Sequence, residues 1–245
     1  MKQKCNILIP MAGRGSRFEE QGYTDKKPFI DVNGKPMIHR VIKNLGMEFD
    51  KEYLFILICL QEDYDKYDFT EFEKVIGHNS YDVVILDDVT EGAAQTVLTA
   101  KHLINDDTPL MTMNSDQLVD WNVEEMFERA QHYDALIPCF YGEGNAWSYA
   151  RTLDNGYVQE VAEKKVISNN ATAGYYYWKK GSDFVKYAEQ MIEQNSRTNG
   201  EFYVAPVYNW AIKDGKKIGI GMVDEIYELG TPEYLERYLE ENNTM

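Results

Sequence analysis

Up to about residue 145 the chain alternates short apolar runs with stretches of helical period, and this alternation restricts its fold most. The runs lie at 5–9, 53–60, 81–86, 109–113 and 134–141. Each has strand length, with a composition suited to burial on both faces. Between them, Pro36 stands where a first helical turn begins, and Met37, Ile38, Val41, Ile42 and Leu45 follow at helical spacing. A second helix is predicted over 93–104, with Val97, Leu98 and Ile104 inward. A third starts at Asn122, three residues before Glu125, the spacing of a capping box. Strands separated by helices predict βαβ units, hence an α/β fold whose Rossmann-like sheet is mixed, mostly parallel and flanked by helices.

Beyond residue 145 the pattern turns β-rich. Segments 147–153 and 157–161 flank Asp154-Asn155-Gly156, a hairpin signal, and 172–178 adds a strand. Helices are predicted at 182–194 and 204–212, strands at 217–222 and 225–228, and Thr231-Pro232 opens a last helix. No repeat or linker interrupts the 245 residues, so a single domain over 1–245 is expected.

The charge balance removes several classes of function. Twenty-five Lys and Arg against 41 Asp and Glu give a net charge of −16, the wrong sign for a nucleic-acid or anionic-membrane binder. No apolar run has membrane-spanning length, and no signal-peptide core opens the sequence. Cys5, Cys59 and Cys139 are far apart within apolar runs, which predicts reduced core thiols and a cytoplasmic protein. His39, His78, His102 and His132 have no zinc-ligand spacing, and there is no G-x-S-x-G elbow. Asp63, Asp65 and Asp68 lack the glycine and final glutamate of a calcium loop.

Directly after the first strand comes Met11-Ala12-Gly13-Arg14-Gly15-Ser16-Arg17-Phe18. Gly13 and Gly15 let backbone N–H groups approach a phosphate, and Arg14 and Arg17 supply charge-assisted hydrogen bonds. The segment is neither a Walker A loop nor a Rossmann fingerprint, because Gly-Lys-Ser/Thr is absent and Phe18 takes the third glycine position. Lys26-Lys27-Pro28 follows about ten residues later and aims further positive charge at the same anion.

This combination resembles the nucleotidyltransferase family that activates sugar 1-phosphates and phosphocholine-type phosphates. The likeness continues through Glu91-Gly92-Ala93-Ala94-Gln95-Thr96, Met113-Asn114-Ser115-Asp116, Glu163-Lys164, Ala173-Gly174-Tyr175, Gly200-Glu201 and Glu228-Leu229-Gly230-Thr231-Pro232. It implies a GT-A-like fold with a nucleotide-binding half over about 1–145 and a β-rich acceptor-binding half over about 146–245. The reaction it implies joins a nucleoside triphosphate to a phosphorylated acceptor and releases pyrophosphate. Arg17 and Lys27 would be catalytic, and Met11, Ala12, Gly13, Arg14, Gly15, Asp87, Gly92 and Ala93 would bind nucleotide. Glu163, Lys164, Gly174, Tyr175 and Glu201 would bind acceptor, and Asp116 and Glu228 would hold Mg²⁺. Tyr176 and Trp178 alternate with Tyr175 and are expected to pack in the core. A homo-oligomer is compatible with the resemblance.

Two departures bear on the substrates. Family members that use uridine or thymidine nucleotides carry glutamine five residues before the base-loop glycine, and Asp87 stands there. A carboxylate only accepts hydrogen bonds, so CTP or GTP is favoured over UTP or dTTP. Sugar-phosphate members often have Arg immediately before Gly-Glu, where this chain has Asn199, with Arg197 nearby. Trp147, Tyr149, Tyr175, Tyr203 and Trp210 offer aromatic surface for a sugar face or an alkylammonium group. Alternatives are a nucleotide-sugar-dependent glycosyltransferase, for which Asn114-Ser115-Asp116 is half an Asp-x-Asp motif, and a non-catalytic regulatory subunit.

Overall fold

A computed structural model describes residues 5–46, 53–77 and 79–242; His78 lies outside them. Its strands are β1 (Cys5–Pro10), β2 (Tyr53–Leu60), β3 (Ser80–Leu86), β4 (Leu110–Met113), β5 (Gln117–Asp120), β6 (Ala135–Tyr141), β7 (Ser148–Thr152), β8 (Val158–Glu163), β9 (Asn170–Thr172), β10 (Tyr175–Trp178), β11 (Ile218–Met222) and β12 (Glu225–Glu228). Ten form one sheet in the order β3-β2-β1-β4-β10-β6-β9-β7-β8, with β11 also paired to β6. Seven of these strands, β1–β4, β6, β7 and β11, run in one sense. The βαβ units of the first half account for the parallel block β3-β2-β1-β4. The β7–β8 hairpin closes at Asp154-Asn155-Gly156, where Gly156 takes φ +82°.

Side chains alternate across this sheet and build one core on each face. Ile7, Ile9, Met111, Tyr175 and Tyr177 face the helices Met37–Asn44 and Val123–Ala130. Leu8, Ile56, Ile58, Tyr176 and Trp178 face Ala93–Thr99, Gly181–Glu193 and Tyr208–Lys213.

Four local readings change. Pro36 is the N-cap of its helix, in extended conformation, rather than its first helical residue. The helix expected over 93–104 is two, Ala93–Thr99 and Lys101–Ile104. Thr99 Oγ1 donates to the Thr96 carbonyl at 2.7 Å, and the Ala100 N–H bonds Val97 instead, which breaks the helical ladder. The strand expected over 172–178 is split at Gly174, whose φ is +77°. Finally, β5 pairs with β12 in a separate antiparallel ribbon whose Glu228–Gln117 rung lies beside the cleft described below.

All three cysteines are buried and free. Burial pushes the Cys5 and Cys59 thiols up to about 12, the Asp63 charge adding to the effect at Cys59, and raises Cys139 too. Ellman's reagent at pH 8 is therefore expected to titrate no thiol in the native chain and three after denaturation. A fast-reacting thiol in the native chain would contradict this packing.

Candidate active site

The C-terminal ends of β1, β4, β8 and β9, with Val89 and Thr90 of the segment that follows β3, border one cleft of about 730 Å³. Crevices at the carboxyl ends of strands are where open α/β sheets bind ligands. On one wall, Ala12, Gly13, Arg14 and Gly15 leave β1 as a loop. Gly15 has φ +69°, which turns the chain into the short helix Ser16–Glu19. A Cβ at Gly13 would meet nothing within 4 Å, so its backbone lies open to the cleft.

Lys27 enters on a single 3₁₀ turn, Lys27–Phe29, anchored by buried Pro28. Its ammonium lies 2.6 Å from Asp116 Oδ2. The neighbouring Lys26 pairs instead with Glu19 at 2.9 Å and Glu62 at 3.2 Å. Of the basic pair, only Lys27 lines the cleft.

Asp116 follows β4 and Glu228 ends β12. A Cβ on Gly230 would stand 2.5 Å from Glu228 Oε1 and 2.6 Å from Asp116 Oδ2, so both carboxylates converge on one glycine-lined spot. Burial, then the nearby Asp116 charge, pushes the Glu228 carboxyl up to about 7. Gln117 donates to Glu228 Oε2 at 2.8 Å and accepts from Asn114 Nδ2 at 3.0 Å, fixing the glutamate. The Leu229 N–H bonds the Asp116 carbonyl at 2.8 Å, joining the two segments. Two convergent hard oxygens fit Mg²⁺, which usually binds one or two carboxylates and completes its shell with water and substrate phosphate. No set of three or more His, Cys, Asp or Glu among the described residues could hold a metal by itself.

Gly174 keeps this region closed. A Cβ there would fall 1.6 Å from Gln117 Oε1, and the Gly174 carbonyl accepts from the Asn114 N–H at 2.9 Å. Gly174→Ala combines left-handed backbone strain with overpacking. It is expected to destabilise the chain by ~2–4 kcal/mol, visible as a lowered melting temperature. An unchanged melt would show that the Gln117 side chain moves aside freely.

The opposite wall carries Trp147, Ser148, Glu163, Thr172 and Tyr176. Ser148 donates to the Glu163 carboxylate, and the Tyr176 and Thr172 hydroxyls are 3.0 Å apart. Burial raises the Glu163 carboxyl despite that hydrogen bond. The third side is two loops in contact. Gly92, with φ +140°, lies so close to Phe202 that a Cβ would be 2.5 Å from both its backbone N and O.

Of the residues singled out in the sequence, Ala12, Gly13, Arg14, Gly15, Lys27, Gly92, Ala93, Asp116, Glu163, Gly174 and Glu201 line this cleft. Others do not. Arg17 is exposed on the first helical turn, outside the lining, and Arg14 is the loop arginine that borders the cleft. Met11 is buried in the core, its N–H bonded to the Ile58 carbonyl. Asp87 is exposed beyond the end of β3, and Val89 and Thr90 border the cleft in its place. Lys164 points its ammonium at the Tyr203 hydroxyl, 2.8 Å away, and Tyr203 is the residue in the wall.

Tyr175, expected at the acceptor, turns into the core and donates to the Gln117 carbonyl at 3.1 Å, whereas Tyr176 is buried in the core as expected and also borders the cleft. The break at Gly174 decides which face each tyrosine takes. Tyr149 is also fully buried, and Trp210 lies outside the lining. Sequence reasoning gave no site role to Gln117, Ser148 or Thr172; for Gln117, adjacency to Asp116 was the available signal.

Comparison with known proteins agrees with this architecture. The family model described as nucleotidyl transferase matches residues 7–216. The bifunctional protein GlmU of Methanococcus maripaludis strain S2 is 28% identical over 237 residues, covering 93% of this chain and 52% of that protein. The chain thus spans about half the length of the curated relatives it matches. The nucleoside-diphosphate-sugar pyrophosphorylase of Vibrio cholerae RC9 superposes with TM-score 0.82 at 25% identity, covering 96% of this chain and 99% of that one. A UDP-glucose pyrophosphorylase complexed with UDP-glucose shares the fold, with TM-score 0.74 at 18% identity over 99% of this chain and 100% of that one. With more than four-fifths of its length inside the family match, the chain belongs to the nucleotidyl transferase family.

Proposed function

We propose that the chain transfers the nucleotidyl group of a nucleoside triphosphate to a sugar 1-phosphate, releasing pyrophosphate, with Mg²⁺ required. The observation that carries this reading is the contact of Lys27 with Asp116 in the cleft beside the 12–15 loop, with Glu228 converging on Asp116 at Gly230 from the adjoining hollow. The relatives support the acceptor class, since they include a nucleoside-diphosphate-sugar pyrophosphorylase.

A phosphate monoester oxygen is already anionic, so attack on the α-phosphorus needs no general base. Catalysis reduces to alignment and charge neutralisation. The 12–15 loop N–H groups and Arg14 hold the β- and γ-phosphates. Lys27 stabilises the charge that builds on the α-phosphoryl oxygens. Asp116 and Glu228 would hold Mg²⁺, which when bound supplies Lewis-acid neutralisation of phosphate charge. Glu163, fixed by Ser148, accepts a hydrogen bond from an acceptor hydroxyl. Asp87 stands outside the cleft, so a preference for CTP or GTP has no contact from that side chain to carry it.

A second acceptor reading has its own observation. A hollow of about 470 Å³ beside Glu228 is lined by Phe140, Tyr141, Trp147, Tyr227, Tyr234 and Tyr238. Aromatic faces next to carboxylates suit an alkylammonium group, as a phosphocholine-type acceptor carries.

The test is pyrophosphate release with each NTP against hexose 1-phosphates and phosphocholine, with Mg²⁺ and with EDTA. Release with at least one pair, lost in EDTA, is expected. Full activity in EDTA would remove the metal from the account. Turnover of phosphocholine alone would replace the sugar acceptor.

A further inference from the structure

The loop that borders the nucleotide side of the cleft and the loop that borders its acceptor side are tied by one side chain. Arg197 stands just before a two-residue turn, Asn199-Gly200, with φ +50° and +85°. Thr198 and Glu201 exchange backbone hydrogen bonds of 3.0 and 2.9 Å across it, which places Glu201 at the cleft. The Arg197 guanidinium spends all three of its nitrogens on protein. Nε donates to Asn195 Oδ1 at 2.6 Å, one terminal nitrogen to the Gly200 carbonyl at 3.0 Å, and the other to Glu91 Oε1 at 3.0 Å. Its plane also lies over the Phe202 ring, 4.0 Å from guanidinium carbon to ring centroid.

Backbone contacts continue the tie. The Phe202 N–H bonds the Glu91 carbonyl at 2.9 Å, and the Phe202 carbonyl accepts from Ala94 N–H at 2.9 Å. Gly92 has no room for a side chain against Phe202. Any displacement of Gly200 or Glu201 therefore pulls on Glu91 and Gly92, the segment assigned to the nucleotide.

We propose that Arg197 is a positioning residue that locks the nucleotide loop to the acceptor loop, so that one side chain sets the affinity for both substrates. The proposal rests on the nucleotidyltransferase reading above. A single ammonium nitrogen cannot reach three separated acceptors while presenting a plane to the Phe202 ring, so lysine should not replace it. Its effect is indirect, because loop misplacement of about an ångström weakens binding and alignment together.

The experiment measures KM for each substrate and kcat in the wild type, Arg197→Ala, Arg197→Lys, Glu91→Gln and the Arg197→Ala/Glu91→Gln double variant. A nucleotide Kd without acceptor is measured by calorimetry on the same proteins. Expected are rises of about tenfold in both KM values and in the nucleotide Kd for Arg197→Ala and Arg197→Lys, with kcat falling less. Glu91→Gln should move both in the same direction, and the double variant should be no worse than Arg197→Ala alone. A rise confined to the acceptor KM, with Glu91→Gln silent, would make Arg197 an acceptor-phosphate ligand and overturn the proposal. Unchanged affinities for both substrates would overturn it as well. If Arg197→Ala does not fold, Glu91→Gln carries the same comparison. If the wild type releases no pyrophosphate with any pair, the enzymatic reading fails, and an unchanged nucleotide Kd across the variants would separately overturn the tie.

Discussion

Asp116→Ala is expected to abolish pyrophosphate release, by about a thousandfold or more, while the chain stays folded. The aspartate's oxygen lies 2.6 Å from Lys27 Nζ and faces Glu228 across Gly230. Removing it takes away one of the two carboxylates that converge there to hold Mg²⁺ and removes the 2.6 Å partner of Lys27. The cost to folding should be small for two reasons. The pair keeps part of its solvent contact, with side-chain exposures of 27% and 14%, so its Coulomb attraction is screened. Loss of Asp116 also relieves the repulsion that raises the Glu228 carboxyl. Pyrophosphate release and a thermal melt on the same sample check both halves. Activity within tenfold of wild type would remove Asp116 from the chemistry, and an unfolded variant would make its role structural.

Lys27→Ala should lower kcat about a hundredfold or more and change KM much less. Negative charge gathers on the α-phosphoryl oxygens in the transition state, and a fixed ammonium interacts more strongly there than in the ground state. Lys27 is positioned for that by buried Pro28 below it and Asp116 beside it. Lys26 cannot take over, because Glu19 and Glu62 hold it elsewhere. Steady-state kinetics with both substrates varied decide the point. A rise in KM with kcat unchanged would make Lys27 a ground-state binder.

What was legible in the sequence was mostly what the backbone dictates locally. Gly13 and Gly15 after β1, Pro28 after Lys27, Asn155-Gly156 between β7 and β8, and the alternation of strands and helices all act within a few residues. The family match over residues 7–216 and the sheet order agree with that reading.

What stayed hidden depends on partners distant in sequence. Period-two alternation says that Tyr175 and Tyr176 face opposite ways, but the break at Gly174 and the register against β4 decide which faces the cleft. β5 is four residues long and takes its place from β12, more than a hundred residues later. Arg14 and Arg17 are chemically equivalent in the sequence; the helix starting at Ser16 carries Arg17 out to solvent. Asp87 stands five residues before Gly92, yet the chain leaves β3 with its aspartates exposed, and Asp88 accepts the Val89 N–H instead of facing the cleft. Arg197 could not be connected to Glu91 from spacing alone, since 106 positions separate them.

The most direct test of nucleotidyl transfer is the fate of labelled phosphorus in a single-turnover reaction. With an accepted substrate pair, the triphosphate is labelled at the α-position in one sample and at the γ-position in another. Attack at the α-phosphorus predicts that all α-label reaches the nucleoside-diphosphate-linked product and all γ-label leaves as pyrophosphate, one per turnover. Gamma label on the acceptor or in orthophosphate would mean phosphoryl transfer or hydrolysis, and would contradict the account.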